Sequence, residues 1–327
     1  LHPTKTDFNP ATSRIFLGMS ISSSPPTISL TRQRRLTSLA KIRSLRNRLR
    51  HHKPVSATFV ASLLGLLAAS SAASWPIRIF TIHLYRLQSL ILRRVGWSST
   101  TILEPSSTVK PLEELYALSR ILASNLLTTQ PLRPRFLPSP SLFLTSDASL
   151  GWGGGAFISH PLNPDRPLGY WQSPWPIDPT HLFPSSSRLL LHRVSSASAR
   201  PIPSHLLHLA SILDNTSSLF LSPTPPHINE LELLTALLAI IVFASSIANN
   251  QITLRLDNST AIACISRRFS ATPRLAWLAA LLSLSLDLLQ CTAIATHLPG
   301  HLNPTADRLS RQWIDPQLRR ANHPLAA

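Results

Sequence analysis

The sequence holds only two cysteines, Cys264 and Cys291, among 327 residues. They have neither CxxC spacing nor companions, which excludes a disulfide framework and a Cys-rich zinc site and makes a reducing compartment the default. Acids are equally scarce: 14 Asp and Glu stand against 31 Lys and Arg, a formal charge of +17 that favours polyanionic partners. Glycine is limited to nine residues although proline reaches 29, and a hydrophobic content of 44% rules out a wholly disordered chain. No leader-like pattern of basic, apolar and small residues stands at the start. The chain opens on Leu1 with its first Met at Met19, which reads as a piece of a longer protein. At this length, two domains or one domain with appendages are expected.

Residues 1–53 carry eleven Lys and Arg against the single acid Asp7, and read as a basic N-terminal arm. Within it Leu36, Leu39, Ile42, Leu45 and Leu49 recur at three- and four-residue steps, so 30–49 is expected to form an amphipathic helix able to lie on phosphates or on a membrane. A solvated basic face with no dedicated ligand is the competing reading. Residues 55–74 are uncharged over the length of a membrane span, but Ser, Thr and a Gly interrupt them and an Arg-bearing helical pattern follows at 77–95. A buried helix is preferred to a span, and no stable membrane insertion is expected. Residues 111–127 read as a further helix with Pro111 at its start. Residues 54–130 thus form a helical module, and the Pro-rich stretch 131–140 reads as an extended linker at a domain boundary.

Beyond the linker the texture changes. A strand at 141–145, a Gly-rich turn with a return strand, and a strand near 168–171 come first. Residues 172–226 are rich in Ser, Pro, His and Leu, with a strand expected at 189–194 and a helix at 204–213; they suggest no chemistry. A long helix at 228–247, a strand at 251–256, a short helix at 260–267, a helix at 274–289, a strand at 291–297 and a final helix at 304–312 complete the pattern. Strands that alternate with helices after an initial meander indicate an α/β fold with a mixed sheet and flanking helices.

The few acids fall near the ends of these elements: Asp147 at the end of the first strand, Glu232 early in the long helix, Asp257 after 251–256, and Asp307 in the last helix. Ligands gather at the strand ends of such sheets. Carboxylates converging there would repel one another and titrate high unless a cation held them, which implies a hard divalent metal. Taken singly, each acid is an ordinary surface residue or helix cap.

In combination the residues resemble a known family. The strings TSDASLGWGG from Thr145, HINELEL from His227, RLDNSTA from Arg255 and LPGHLNPTADRLSR from Leu298 are similar to the four motifs of a retroelement ribonuclease H domain, most nearly that of DIRS-like retrotransposon reverse-transcriptase polyproteins. The resemblance covers about 141–312 and, more faintly, extends to the thumb and connection segment upstream. It implies a ribonuclease H-like five-stranded mixed sheet over 141–315, with 172–226 as an insertion that could distort or cover the cleft and 316–327 as a tail. It also implies the metal-binding quartet Asp147, Glu232, Asp257 and Asp307. Glu230 competes with Glu232; the family pattern sets the acid three residues after Asn229, and the two point about 200° apart on a helix, so only one faces the site. Thr235 stands where the pattern usually has Ala.

The implied activity is endonucleolytic hydrolysis of the RNA strand of RNA–DNA hybrids with two Mg²⁺, or Mn²⁺, activating water and stabilising the leaving oxygen. His297 and His301 are both candidates for the assisting histidine of that family, and Asn258 and Asn303 read as turn formers. No Tyr-x-Asp-Asp motif occurs, so the polymerase palm would lie upstream in a longer polyprotein, and the location would be intracellular, cytoplasmic or nuclear. The alternative is an inactive nucleic-acid-binding remnant. Two of the quartet on opposite sides of the sheet would end the nuclease reading.

Overall fold

The computed structural model describes residues 12–131, 140–176, 182–184, 186–221 and 224–311. The linker expected at 131–140 and the tail 316–327 therefore lie almost wholly outside the described residues. The chain divides into two compact units, Leu1–Arg135 and Phe136–Ala327.

In the first unit, β1 (Ser13–Phe16), β2 (Met19–Ser23) and β3 (Pro26–Leu30) form an antiparallel meander, and β6 (Thr129–Pro131) adds to β3. The β1–β2 turn uses positive φ at Leu17 and Gly18, the backbone that matches strand twist in a two-residue hairpin. Nothing in the amino-acid pattern pointed to this sheet, whose strands are short and polar. Between β3 and β6 run α1 (Arg32–Arg50), β4 (Val55–Ser56), α2 (Ala57–Ser70), α3 (Trp75–Ile79), α4 (Ile82–Val95), β5 (Thr100–Thr101) and α5 (Pro105–Ala123).

Helix α1 starts where the Thr31 hydroxyl accepts from the Arg34 amide, and it buries Ser38, Ile42, Leu45 and Leu49. Leu36 lies off that stripe and is exposed, contrary to the sequence pattern. The uncharged run at 55–74 becomes the 14-residue α2, which buries Val60, Leu63, Leu64 and Leu67 and then turns. No described helix is long and apolar enough to cross a membrane. The helical pattern at 77–95 is split into α3 and α4. Glu114 of α5 is fully buried there, and its two carboxylate oxygens accept from the His83 and Leu84 amides in the first turn of α4, at 2.7 and 2.8 Å. Helix α5 begins at Pro105, six residues before the expected start, and Pro111 lies inside it; Pro105 holds the first-turn position where a missing N–H is harmless.

The second unit is a five-stranded mixed sheet with flanking helices. Its strands are β7 (Leu142–Ala148), β8 (Gly153–His160), β9 (Asn163–Pro174), β10 (Gln251–Leu256) and β11 (Thr292–His297), in the order β11-β10-β7-β8-β9. Strands β7, β8 and β9 form an antiparallel meander, while β10 lies parallel to both β7 and β11. The helices are α6 (Ser187–Ser198), α7 (Ser204–Asp214), α8 (Ile228–Val242), α9 (Ala244–Ile247), α10 (Ser259–Arg267), α11 (Pro273–Leu288) and α12 (Pro304–Arg311).

The region 189–194 is helical, not extended. Ser186 caps α6, and Leu190, Leu191 and Val194 fall on one buried face at helical spacing; the short apolar run alone did not separate the two periods. Helices α6 and α7 pack on each other, and α6 also packs on α8, α9 and α11. This explains why α8 and α11 are apolar all round: each has a neighbouring helix where a surface helix has solvent.

The glycines of β8 set how close the helices come. Adjacent strand residues face opposite sides. A Cβ on Gly154 would lie 2.7 Å from the Thr235 Oγ1 of α8, and one on Gly155 would lie 2.5 Å from the Leu309 Cβ of α12. Helices α8 and α12 therefore press on opposite faces of the sheet beside the end of β7.

Candidate metal centre

Strand pairing brings the first two acids together. The register of β10 with β7 runs from Ile252 opposite Leu142 to Arg255 opposite Thr145, and continuing it two residues sets Asp257 beside Asp147. Asp147 is the penultimate residue of β7, and Asp257 directly follows β10. Glu232 sits in the second turn of α8, its Oε1 accepting from the Ala148 amide at 3.3 Å. One carboxylate oxygen from each of Asp147, Glu232 and Asp257 lies within 4.8 Å of the other two.

Glu230 is turned elsewhere. Its Oε2 accepts from the Arg274 guanidinium at 2.7 Å and from the His227 amide at 3.0 Å, closing a capping box at the start of α8. The competition between the two glutamates is thus decided by a buried arginine on α11. Thr235, the departure from the family pattern, bonds back to the Leu231 carbonyl at 2.8 Å and packs on Gly154.

Asp307 reaches the same cleft from the opposite face of the sheet. Asp147, Glu232, Asp257 and Asp307 all line one cavity of about 810 Å³, together with residues 148–152, Ile228, Asn258, Gly300 and Arg311. The helices bearing Glu232 and Asp307 lie on opposite sides, but both side chains overhang the end of β7, so the sides meet there. The expectation that acids on opposite faces could not share a site is thus corrected: a cavity at a strand end is lined from both faces. Asp307 stands outside the three-acid cluster, and its Oδ1 accepts from the Arg311 Nε at 2.6 Å.

Neither histidine lines this cavity. His297 is exposed at the end of β11, where its Nε2–H donates to the Asp257 carbonyl at 3.1 Å and braces the strand end. His301 is exposed on a 3₁₀ turn, Gly300–Leu302, beside the cavity-lining Gly300. Asn258 caps α10 through the Ala261 amide and donates to the Asn229 Oδ1 at 2.8 Å, tying the β10 end to α8. Asn303 is buried before α12, and its carbonyl accepts from the Asp307 amide. Among the described residues of 172–226, none lines the cavity, and helices α6 and α7 of this stretch pack on each other, with α6 also packing on α8, α9 and α11.

The electrostatics follow from burial. The Glu232 carboxyl is pushed up to about 9, first by desolvation and then by the negative charges of Asp147 and Asp257. Asp147 is raised to about 6 by desolvation and by Asp257 and Asp307, against a lowering hydrogen bond from Ser310. Glu232 Oε2 is buried and accepts no hydrogen bond. An orphaned buried oxygen beside two further carboxylates is a poor arrangement for a protein alone. A cation relieves it, and an all-oxygen donor set suits Mg²⁺ or Mn²⁺. The triad can therefore hold a metal ion.

Neither family models nor curated proteins match the chain. Among solved structures, the foamy viral protease-reverse transcriptase in complex with dsDNA is 15% identical over 88% of this chain and 45% of its own length, with a TM-score of 0.27. The same protein in complex with RNA/DNA hybrid is 11% identical over 92% and 52%, with a TM-score of 0.24. This chain spans about half the length of those proteins. Superposition this loose carries no weight for the chemistry, which stands here on the residues.

Ser310 and Arg311 were missed as members of the site. Both lie in the last quoted motif, three and four residues after Asp307, and hence on its side of α12. That spacing was the available signal.

Proposed function

We propose that the second unit is a ribonuclease H-like, metal-dependent endonuclease that hydrolyses the RNA strand of RNA–DNA hybrids, as part of a retroelement reverse-transcriptase polyprotein of DIRS-like type. The convergence of Asp147, Glu232 and Asp257 within 4.8 Å at two adjacent strand ends supports it most. The four-motif resemblance adds the substrate and the element type. Asp147, Glu232 and Asp257 would hold one ion, and Asp307 would complete the site for a second.

Bound Mg²⁺ would supply charge neutralisation at a phosphodiester and a more acidic water. The protein's own part is to fix the carboxylates. Strand register holds Asp147 and Asp257 side by side, the Ala148 amide fixes Glu232, and burial of Asp147 and Glu232 limits the water that competes for their oxygens. Arg311, exposed at the cavity and paired with Asp307, would meet a substrate phosphate. The division of the upstream region into a basic arm, 1–53, and a thumb- and connection-like segment, 54–130, belongs to the same proposal, as does a palm domain encoded further upstream.

The test is cleavage of a labelled hybrid in Mg²⁺ by the full chain. Loss of cleavage in Asp147→Asn and Asp257→Asn is expected; undiminished cleavage in those variants would refute the assignment. Steeply salt-dependent hybrid binding with no turnover at any Mg²⁺ or Mn²⁺ concentration identifies the inactive remnant instead. Eight Lys and Arg on α1, with no acid, supply the charge for that outcome.

A further inference from the structure

Ser310 lies on α12, fully buried, and its Oγ is 2.6 Å from Asp147 Oδ2. The same hydroxyl is 2.9 Å from the Asp307 carbonyl one turn back. A hydroxyl has one proton, and the shorter contact to a carboxylate is the stronger acceptor, so the proton goes to Asp147. That bond takes one of the two acceptor sites on Oδ2 and fixes the orientation of the carboxylate, which leaves Oδ1 the freer oxygen for a ligand. Glu232 shows the same division of labour: its Oε1 takes the Ala148 amide, and its Oε2 is buried with no donor.

We infer that Ser310 is a positioning residue for the metal centre, holding Asp147 by Oδ2 so that Oδ1 turns toward Glu232 Oε2 and Asp257. This rests on the metal-centre reading above and extends it to a residue that touches neither metal nor substrate. Gly155 is part of the device. Its absent Cβ, which would fall 2.7 Å from the Ser310 amide nitrogen, lets α12 approach β8 closely enough for Ser310 to reach the neighbouring strand. Donors that orient metal-binding carboxylates typically change metal affinity by about 10–100-fold when removed.

The experiment is Mn²⁺ titration of the full chain by calorimetry, without nucleic acid, with thermal melting as a check on folding. Ser310→Ala is expected to weaken Mn²⁺ binding by at least about 10-fold. Ser310→Cys, which keeps the volume with only a weak donor, should fall with it, and Ser310→Thr, which keeps the hydroxyl, should stay within a few-fold of wild type. Mn²⁺ affinity that Glu232→Gln lowers but Ser310→Ala and Ser310→Cys leave unchanged overturns the role of Ser310 alone. No Mn²⁺ binding by the wild type, or binding that Glu232→Gln leaves intact, overturns the metal centre and this inference with it.

Discussion

Replacing Glu232 by Gln separates the cost of a buried acid from its use. The carboxyl is 3% exposed, and its proton is held to about pH 9 in the folded metal-free protein against an ordinary value near 4.5. The raised value means that the folded state keeps a proton the unfolded chain has released. Stability is therefore complete below about pH 4.5 and declines as the pH rises through the window to 9. At 1.36 kcal/mol per pH unit, the decline from Glu232 alone between pH 4.5 and 7 is about 3 kcal/mol as an upper figure. Gln keeps the shape and cannot ionise, so in EDTA the variant should equal or exceed wild type at pH 8 and show a flatter pH dependence. A saturating cation reverses the comparison. At a hundredfold excess over Kd it stabilises the folded state by about 2.7 kcal/mol, or roughly 5–10 °C in Tm for a domain of this size. Melting of both proteins between pH 5.5 and 8.5, in EDTA and in Mg²⁺ or Mn²⁺, reads both effects. Equal metal-induced shifts in wild type and Glu232→Gln, or a metal-free wild type that gains stability over the same pH range, would show the account of the triad to be wrong.

Metal binding should release protons, because Asp147 and Glu232 titrate near 6 and 9 in the free protein; affinity should rise with pH across that interval, and calorimetry in two buffers of different ionisation heat counts the protons. Glu230→Gln should leave Mn²⁺ affinity unchanged while destabilising the fold by a few kcal/mol, since it removes the charge opposite the buried Arg274 guanidinium, and urea unfolding beside a metal titration separates the two. Gly155→Ala should push α12 outward and lose about 1–3 kcal/mol of stability together with metal affinity, whereas Gly65→Ala, in α2 of the first unit with open space around its position, should lower neither.

Several elements were legible because their signal is local. The strands at 141–145 and 251–256 and the helices at 204–213, 228–247, 260–267 and 274–289 show periods and boundary residues within a dozen positions, and the structure has elements of those types there. The failures have physical causes of equal particularity. Leu189, Leu190 and Leu191 fit either period, and only packing on α8 and α11 makes α6 a helix. Residues 77–95 look continuous until Glu114, some thirty positions later, caps α4 and divides them. The strands at 13–30 carry too few apolar residues to show an alternation, and the second neighbour of β3, after β2, is β6, about a hundred positions downstream.

The amino-acid order by itself determined which acids could matter, because in a chain so poor in carboxylates each one near the end of an element stands out, and the Asn229 spacing favours Glu232. It also determined the polycationic character and the alternation of strands and helices. It could not determine that Asp147 and Asp257 lie side by side, since register is fixed by hydrogen bonds between strands that the chain separates by more than a hundred residues. Nor could it show that Glu230 belongs to Arg274, that two helices on opposite faces overhang one strand end, or that a serine hydroxyl holds one oxygen of Asp147. Those facts depend on distances of a few ångströms across non-adjacent elements, and only tertiary packing sets them.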